Sequence, residues 1–237
     1  MSVNRPIVLI TGATGPAGRA AALRFAADGA LVALNGSDEA RLVAAVAGLG
    51  LDPAVAAAVP GDLRDAATAR DVVERTVARF GRVDVLLHLV GGWVGGTTVA
   101  DLDHDEVRGM LDQHLWTTLH TLQAVVPGMV QRGFGRVITV SSPFAANPTG
   151  RGASYAMAKE AQEVLVRSLA REHAGDGITA NIVAVSTLDA GHARETEPAK
   201  SNRGWTTPEE LADVLAWLAS PVAATVNGAR IALDGRV

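Results

Sequence analysis

The sequence predicts an α/β protein in which one doubly wound, parallel sheet of seven strands carries helices on both faces. Short β-branched and aliphatic runs alternate with longer segments of helical period along the 237 residues. Apolar residues make up 48% of the chain but aromatic residues only 4%, which is typical of Ala-, Val- and Leu-rich helices packed on a buried parallel sheet. With no linker-like stretch, we expect one domain, residues 1–237.

The hydrophobic pattern places the elements in order. Strands are expected at Ile7–Ile10, Leu31–Leu34, Val55–Val59, Val83–Leu89, Arg136–Val140, Thr179–Val185 and Arg230–Leu233. Helices are expected between them, at Pro16–Asp28, Asp38–Leu49, Ala66–Phe80, Asp105–Arg132, Ala153–His173 and Pro208–Ala219. Thr207 before Pro208 is a typical helix start. The least patterned stretch, residues 186–206, is interpreted either as a lid over a substrate or as a solvated loop.

Composition excludes several classes of function. The chain has no cysteine, which excludes disulfides and thiolate sites and is compatible with a reducing cytoplasm. The net charge of −4 and the scattered basic residues disfavour nucleic-acid binding. No apolar run reaches membrane-spanning length, and Ile7–Ile10 is too short for a signal sequence. We expect a soluble, cytoplasmic protein without a metal site.

A glycine-rich turn follows the first strand directly. The stretch TGATGPAGR, from Thr11 to Arg19, places Gly12, Gly15 and Gly18 before a predicted helix. Glycines here let the backbone approach a pyrophosphate, whose charge the helix N-terminus stabilises. This position predicts a dinucleotide site.

The end of the second strand bears on the choice between NAD and NADP. An acid there would bind the ribose hydroxyl groups and repel a 2′-phosphate. The chain instead has Asn35 and Ser37, with Asp38 placed to cap the next helix. Ser37 can donate to a phosphate and Arg41 or Arg19 can supply charge, so NADP(H) is favoured over NAD(H).

Tyr155, the one tyrosine of the chain, precedes Lys159 by four residues. On a helix this spacing places both side chains on one face. The pair is either a proton donor beside a cation or part of a packed surface, and the spacing alone leaves both interpretations open.

The motifs together resemble the short-chain dehydrogenase/reductase family over essentially the whole chain. TGATGPAG matches its cofactor turn, GDLRD its adenine pocket, GRVITVSS and YAMAK its active site, and ARIALDGR its closing strand. The resemblance implies a Rossmann fold, and hydride transfer between a nicotinamide and a ketone or secondary alcohol. It implies that Tyr155 is the acid/base, that Lys159 lowers the pKa of Tyr155 and holds the nicotinamide ribose, and that Ser142 binds the substrate oxygen.

The resemblance also implies the remaining site residues. Cofactor contacts are expected from Thr11, Gly12, Thr14, Gly15, Pro16, Ala17, Gly18, Asn35, Ser37, Asp62, Leu63, Val90, Gly91, Tyr155, Lys159 and Thr187. An apolar substrate pocket with a few polar groups is expected from Trp93, Phe144, Asn147 and His192, with Trp205 as a further candidate.

Four positions depart from the family pattern. Pro16 follows Gly15 in the cofactor turn, and His88 begins the stretch that usually reads Asn-Asn-Ala-Gly. His114 stands where the family has a catalytic asparagine, whose main-chain carbonyl binds a water in a proton chain to the lysine. His114 is either a titrating member of that relay or a buried structural histidine. The Pro-Gly after the sixth strand is absent, which leaves Thr187 as the nearest contact for the carboxamide.

Three functions remain open on the sequence. The leading one is an NADP(H)-dependent reductase or dehydrogenase for a small carbonyl or alcohol. The departures motivate a non-catalytic nucleotide sensor or scaffold, and a dehydratase or isomerase that uses Tyr155 for proton transfer alone. Family members commonly form tetramers or dimers through the two long helices, so a homo-oligomer is also expected.

Overall fold

The computed structural model describes residues 5–234. Seven strands form one sheet: β1 (Ile7–Thr11), β2 (Leu31–Leu34), β3 (Ala56–Ala58), β4 (Val85–His88), β5 (Gly135–Ser141), β6 (Ile178–Ala184) and β7 (Arg230–Ala232). Every pairing is parallel, in the order β3-β2-β1-β4-β5-β6-β7. This confirms the doubly wound, seven-stranded parallel sheet that the sequence predicts, with strand ends that differ by at most two residues from the predicted ones.

Nine α-helices connect the strands in the described part of the chain: α1 (Pro16–Ala27), α2 (Glu39–Ala47), α3 (Ala66–Phe80), α4 (His104–Leu111), α5 (Thr117–Arg132), α6 (Pro143–Ala146), α7 (Ala153–Glu172), α8 (Ala193–Thr196) and α9 (Pro208–Ala219). They cover both faces, and each face has its own cluster of buried apolar side chains. Thr207 caps α9 in a capping box with Glu210, as the sequence predicts. Within residues 5–234, none of the helices has the length and apolar character needed to span a membrane.

The predicted long helix Asp105–Arg132 is wrong as one element. It is interrupted by a π-helical turn at Asp112–Trp116, which separates α4 from α5. Directly after this turn, Thr117 and Thr118 bond back to the carbonyls of Gln113 and His114, both at 2.6 Å. Such back-bonding bends helices. His114 lies in the π-helical turn and is fully buried.

The strand order reverses between β1 and β4, which pair directly although β2 and β3 separate them in the sequence. The connections leave the two strands in opposite directions, so a crevice opens beyond their carboxyl ends. In open α/β sheets ligands bind at this switch point. The glycine-rich turn follows β1 and the stretch Leu89–Gly91 follows β4, so both lie at this crevice.

Candidate active site

The glycine-rich turn lines a cavity of about 660 Å³ at the switch point. A side chain on Gly12 would place its Cβ 2.6 Å from the carbonyl oxygen of Leu89, and one on Gly18 would place its Cβ 2.6 Å from the Cα of Ala13. Only glycine therefore permits this close packing of β1, α1 and the turn after β4. The N-cap of α1 is Gly15, with no side-chain cap and no acid in the first turn. The positive end of this helix thus remains open toward the cavity, as an anion site requires.

Twelve of the predicted cofactor residues line this cavity: Gly12, Thr14, Gly15, Pro16, Ala17, Gly18, Asn35, Ser37, Asp62, Leu63, Val90 and Gly91. Thr11, Tyr155, Lys159 and Thr187 are not among its lining residues, and Leu188 lines it beside Thr187. Arg41 was expected only as a source of charge. Eight further residues that line the cavity were not predicted as cofactor contacts: Gly36, Gly61, Arg64, Leu89, Gly109, Gln113, Thr117 and Leu188. Arg64 lies in the GDLRD motif, and its positive charge was the signal that could have identified it as a lining residue.

The polar groups at the end of β2 divide into two sets. The Asn35 amide is buried and donates to the carbonyls of Val59 and Gly61, at 3.0 and 3.1 Å, so it braces β2 against the turn after β3. Asp38 accepts from the main-chain nitrogen of Arg41 at 2.9 Å and caps α2, as predicted. Both side chains are therefore already engaged, and the carboxylate that would disfavour a phosphate serves as a cap.

Ser37, Arg41 and Arg64 form the second set. All three are exposed and line the cavity. Arg64 is paired with Asp62 at 2.5 Å, and this pairing lowers the pKa of the Asp62 carboxyl. This set therefore supplies the cavity lining with one hydroxyl group and two guanidinium groups, one of which is shared with a carboxylate.

His88 replaces the missing asparagine contacts between β1, β4 and α5. Its Nδ1 lies 3.1 Å from Thr11 Oγ1 and its Nε2 lies 3.3 Å from Thr117 Oγ1. Thr117 donates its own hydrogen to the carbonyl of Gln113, so His88 Nε2 must be the donor and Nδ1 the acceptor. Burial lowers the pKa of His88 to about 3, with a further contribution from the Lys159 charge. The ring is therefore a neutral structural bridge between β1, β4 and α5.

Ser142 and Tyr155 meet beyond the end of β5. Ser142 caps the short helix α6 by accepting from Phe144 N at 3.3 Å, and Tyr155 is one turn into α7. Burial raises the pKa of the Tyr155 phenol above its usual range, and a hydrogen bond with Ser142 opposes that rise. Among the described residues, Lys159 donates to Val140 and Gln162, and the expectation that its charge lowers the pKa of Tyr155 stays a prediction.

Lys159 is buried one turn further along α7, with 4% of its surface exposed. Its Nζ donates to the carbonyl of Val140 at 2.9 Å and to Oε1 of Gln162 at 3.0 Å. Burial lowers the pKa of Lys159 to about 7, against a raising effect of the Glu163 carboxylate. An ammonium has three donors, so one of them is left for a further acceptor.

The His114 ring packs edge-on against the Tyr155 ring, with centroids 5.5 Å apart. Its Nε2 lies 3.0 Å from the carbonyl of Gly92 and must donate to it, while Nδ1 has no partner among the described residues. Burial, with smaller effects of Lys159 and His88, lowers the pKa of His114 to about 2. The lowered pKa favours the interpretation of His114 as a buried structural histidine, and a part for it in a proton relay stays a prediction.

The predicted substrate residues are dispersed. Trp93 is 63% exposed and Asn147 is exposed, whereas Phe144 lies directly beside Ser142 on α6. His192 pairs with Glu209 of α9 at 3.1 Å. Trp205 lines a separate cavity of about 400 Å³ with Arg194. Among these predicted substrate residues, Phe144 is the one that this geometry places beside Ser142.

A buried ion pair supports the Ser142 backbone from the last strand. Glu163 of α7 is fully buried and binds Arg230 of β7 at 3.0 Å and Arg167 at 2.9 Å. Arg230 also donates from Nη2 to the carbonyl of Ser142 at 2.9 Å. Neither Glu163 nor Arg230 was predicted as a site residue, because their contact joins positions 67 residues apart in the sequence.

Comparisons with known proteins agree with this geometry. The family model described as short chain dehydrogenase matches residues 6–201. A curated relative from Thauera aromatica, (2S)-[(R)-hydroxy(phenyl)methyl]succinyl-CoA dehydrogenase subunit BbsC, is 32% identical and aligns with 98% of this chain and 94% of its own length. The 3-oxoacyl-[acyl-carrier-protein] reductase FabG of Escherichia coli (strain K12) is 30% identical over 99% of this chain and 98% of its own.

A solved structure of an oxidoreductase of the short chain dehydrogenase/reductase family from Burkholderia thailandensis superimposes with a TM-score of 0.85. It is 31% identical, and the match covers 98% of this chain and 92% of that chain. The fold, the glycine-cradled cavity and the family match over residues 6–201 lead to one conclusion. The chain belongs to the short-chain dehydrogenase/reductase family, whose members bind NAD(P), and it is an oxidoreductase.

Proposed function

We propose that this oxidoreductase uses NADP(H) to transfer a hydride between the nicotinamide and a ketone or secondary alcohol, with Tyr155 as the acid/base. The observation that carries the proposal is the meeting of Ser142 and Tyr155 beside the glycine-cradled cavity, with Lys159 one turn away. His114 links the two parts, since its ring packs on Tyr155 and bonds to Gly92, next to the cavity residue Gly91.

The cavity fits a dinucleotide. The close-packed glycines and the uncapped N-terminus of α1 suit the pyrophosphate, and Val90 and Gly91 extend the lining along the end of β4 toward Tyr155. The remaining donor of Lys159 and its position on the helix face of Tyr155 suit the nicotinamide ribose. Thr187 is proposed for the carboxamide because its neighbour Leu188 lines the cavity. When bound, the cofactor supplies or accepts the hydride.

The side chains of this protein handle the proton. Ser142 donates a hydrogen bond to the substrate oxygen and so orients the carbonyl toward Tyr155. The Tyr155 hydroxyl group protonates that oxygen as negative charge develops on it, and in the alcohol direction the phenolate removes the same proton. Because burial raises the pKa of Tyr155, a nearby positive charge is needed to bring the phenolate into a useful range. The charged form of Lys159 provides it.

The preference for NADP(H) rests on polar and positively charged groups in the cavity lining. Ser37, Arg41 and Arg64 line the cavity, while Asp38 is held at the α2 cap. A 2′-phosphate gains charge-assisted hydrogen bonds from such groups.

The substrate is proposed to be a small molecule with a ketone or secondary hydroxyl group. One relative is named as a dehydrogenase of a hydroxy compound and another as a reductase of a 3-oxoacyl group. Residues 186–206, which include the short helix α8, are proposed as the lid. Trp93, Phe144 and Asn147 are proposed to meet the substrate when the lid closes, whereas the His192–Glu209 pair tethers the lid to α9.

The experiment is a titration of NADPH and NADH by fluorescence, followed by an assay of cofactor oxidation with a panel of ketones. The expected result is tighter binding of NADPH and oxidation of NADPH by at least one ketone. Tight nucleotide binding without oxidation by any ketone would favour a sensor. Equal or tighter binding of NADH would contradict the NADP(H) assignment.

We further propose that the chain forms a dimer or tetramer through α5 and α7. Met157 and Val164 on α7 and Trp116 before α5 are each more than 40% exposed, which is unusual for apolar side chains on two such helices. Sedimentation should show a species larger than the 24.4 kDa monomer. Val164→Asp should dissociate it, and a wild-type protein that sediments as a monomer would exclude the assembly.

A further inference from the structure

Lys159 is held from the protein interior by a side-chain amide. The partner is Gln162, three residues further on α7 and fully buried, whose Oε1 accepts from Lys159 Nζ at 3.0 Å. A buried glutamine has to satisfy both ends of its amide, so its second partner determines how firmly the first one is held.

That second partner is Thr118 of α5. Gln162 Nε2 lies 2.8 Å from Thr118 Oγ1, and Thr118 Oγ1 lies 2.6 Å from the carbonyl oxygen of His114. A carbonyl can only accept, so the single hydrogen of Thr118 points to His114 and its oxygen must accept from Gln162. The amide is thereby fixed with its NH₂ group toward Thr118 and its oxygen toward Lys159. Every hydrogen in the series points away from the lysine.

The series ends on a carbonyl that the family resemblance assigns to a proton chain. In that chain a water lies between the lysine and the main-chain carbonyl at position 114, and here Thr118, which is only 1% exposed, donates to the same carbonyl. A primary amide neither releases nor takes up a proton near neutral pH. A proton therefore has no route from Lys159 through Gln162 to Thr118.

We propose that Gln162 is a positioning residue: with Thr118 it forms a fixed bracket from the His114 carbonyl to the Lys159 ammonium, and this bracket is not a proton path. The inference rests on the proposed function of Lys159. The lysine then exchanges protons only through the donor that the Val140 carbonyl and the bracket leave unused.

The charges around Lys159 make the bracket measurable. Glu163 stabilises the ammonium, while His88 and His114 face it as neutral rings and Tyr155 as a neutral phenol. The Val140 carbonyl and the Gln162 amide oxygen are the acceptors that bind it directly. Since a hydrogen bond to a charged form favours that form, loss of the amide oxygen has to lower the pKa of Lys159.

The composition of the chain makes this pKa directly observable. Its lysines are Lys159 and Lys200, so NMR of protein labelled with ¹³C at the lysine Cε gives two signals, and Lys200→Arg assigns them. We expect Gln162→Leu to lower the midpoint of the Lys159 titration by about one pH unit or more. Gln162→Glu should raise it, because a carboxylate keeps the acceptor and adds charge. The matched control is Gln123→Leu, at an exposed position of α5, which should leave the midpoint unchanged.

Thr118→Val tests the bracket separately, and also serves if Gln162→Leu does not fold. Valine keeps the shape but removes the hydroxyl that orients the amide, so the Lys159 midpoint should shift in the same direction by a smaller amount. Turnover should fall only in proportion to the charged fraction of Lys159. The pH profile of kcat should therefore shift along the pH axis, while its maximal value stays the same.

Two results would overturn the proposal. One is an unchanged Lys159 midpoint in Gln162→Leu, or in Thr118→Val if the first variant does not fold. The other is a loss of kcat at every pH in Thr118→Val with an unchanged Lys159 midpoint, which would show a proton path. The titration needs no substrate, so a protein that reduces no ketone but shows the expected shifts would contradict the proposed function and leave the bracket in place.

Discussion

At the scale of the residue, the proposed preference for NADP(H) depends on Arg41 and Arg64. Removing either guanidinium takes away a charge-assisted hydrogen bond that NADPH can form and NADH cannot, so Arg41→Ala and Arg64→Ala should each weaken NADPH binding about tenfold. Binding of NADH should change little. Fluorescence titration with both nucleotides measures this, and Arg70→Ala, an exposed change of the same charge on α3, is the control. An equal loss for both nucleotides would argue against a phosphate contact.

Order and spacing, which the chain carries locally, predicted that Ser142, Tyr155 and Lys159 lie together, but not the environments of these side chains. Their catalytic roles stay predictions. Asn35 turns toward Val59 and Gly61, and His114 is held neutral by its surroundings. Both arrangements depend on partners at least 22 residues away in the sequence. Such partners are fixed only when the sheet and helices pack, so spacing could not reveal them.

At the scale of the element, β7 holds the end of β5 through Arg230. The variant Arg230→Met would leave the fully buried Glu163 with Arg167 alone and the Ser142 carbonyl without its donor. We expect a loss of about 3 kcal/mol in the free energy of unfolding, since breaking a buried pair leaves an uncompensated charge. Urea denaturation measures it.

The double variant Arg230→Met with Glu163→Leu provides the comparison. Removing both charges should recover much of the stability, because the penalty comes from the unpaired carboxylate. A single variant as stable as the wild type would show that Arg230 contributes no support.

The element boundaries show which signals are local. Caps and turn residues predicted the start of α9 correctly, because Thr207, Pro208 and Glu210 act within one turn. The break between α4 and α5 was missed, since residues 105–132 keep a continuous helical period. Its visible cause is the pair Thr117 and Thr118, and threonine back-bonding is decided by packing rather than by sequence pattern.

At the scale of the whole molecule, buried histidines make stability depend on pH. The unfolded chain protonates His88 near pH 6.5, but the folded chain does so only near pH 3. Between these values the unfolded state binds more protons, so the free energy of unfolding falls as the pH falls. From about pH 7 to about pH 5 the loss should be about 2 kcal/mol for this residue.

The variant His88→Asn isolates that contribution. Asparagine still offers a donor and an acceptor to Thr117 and Thr11 but does not titrate, so the loss of stability between about pH 7 and about pH 5 should be smaller by about 2 kcal/mol. Urea denaturation at the two pH values, at one protein concentration, measures it. His104→Asn, an exposed change on α4, should keep the wild-type dependence. The same slope in His88→Asn and wild type would mean that His88 is not held neutral.

The architecture as a whole was the most predictable level. A parallel sheet follows from strand and helix alternation and from the handedness of its crossovers, which are properties of the entire chain. The switch point between β1 and β4 then places the glycine-rich turn beside residues 89–91 without reference to any side chain. The lid at residues 186–206 has no such constraint and stays a prediction.

The central claim is that Tyr155 transfers the proton, and the variant Tyr155→Phe tests it most directly. Phenylalanine keeps the ring that packs on His114 and removes only the hydroxyl group. With the best ketone of the panel, kcat/KM for NADPH oxidation should fall about 1,000-fold, as expected for loss of a general acid. The Kd for NADPH should stay within about twofold, because the pyrophosphate cradle is untouched. Turnover by Tyr155→Phe at the wild-type rate would contradict the account.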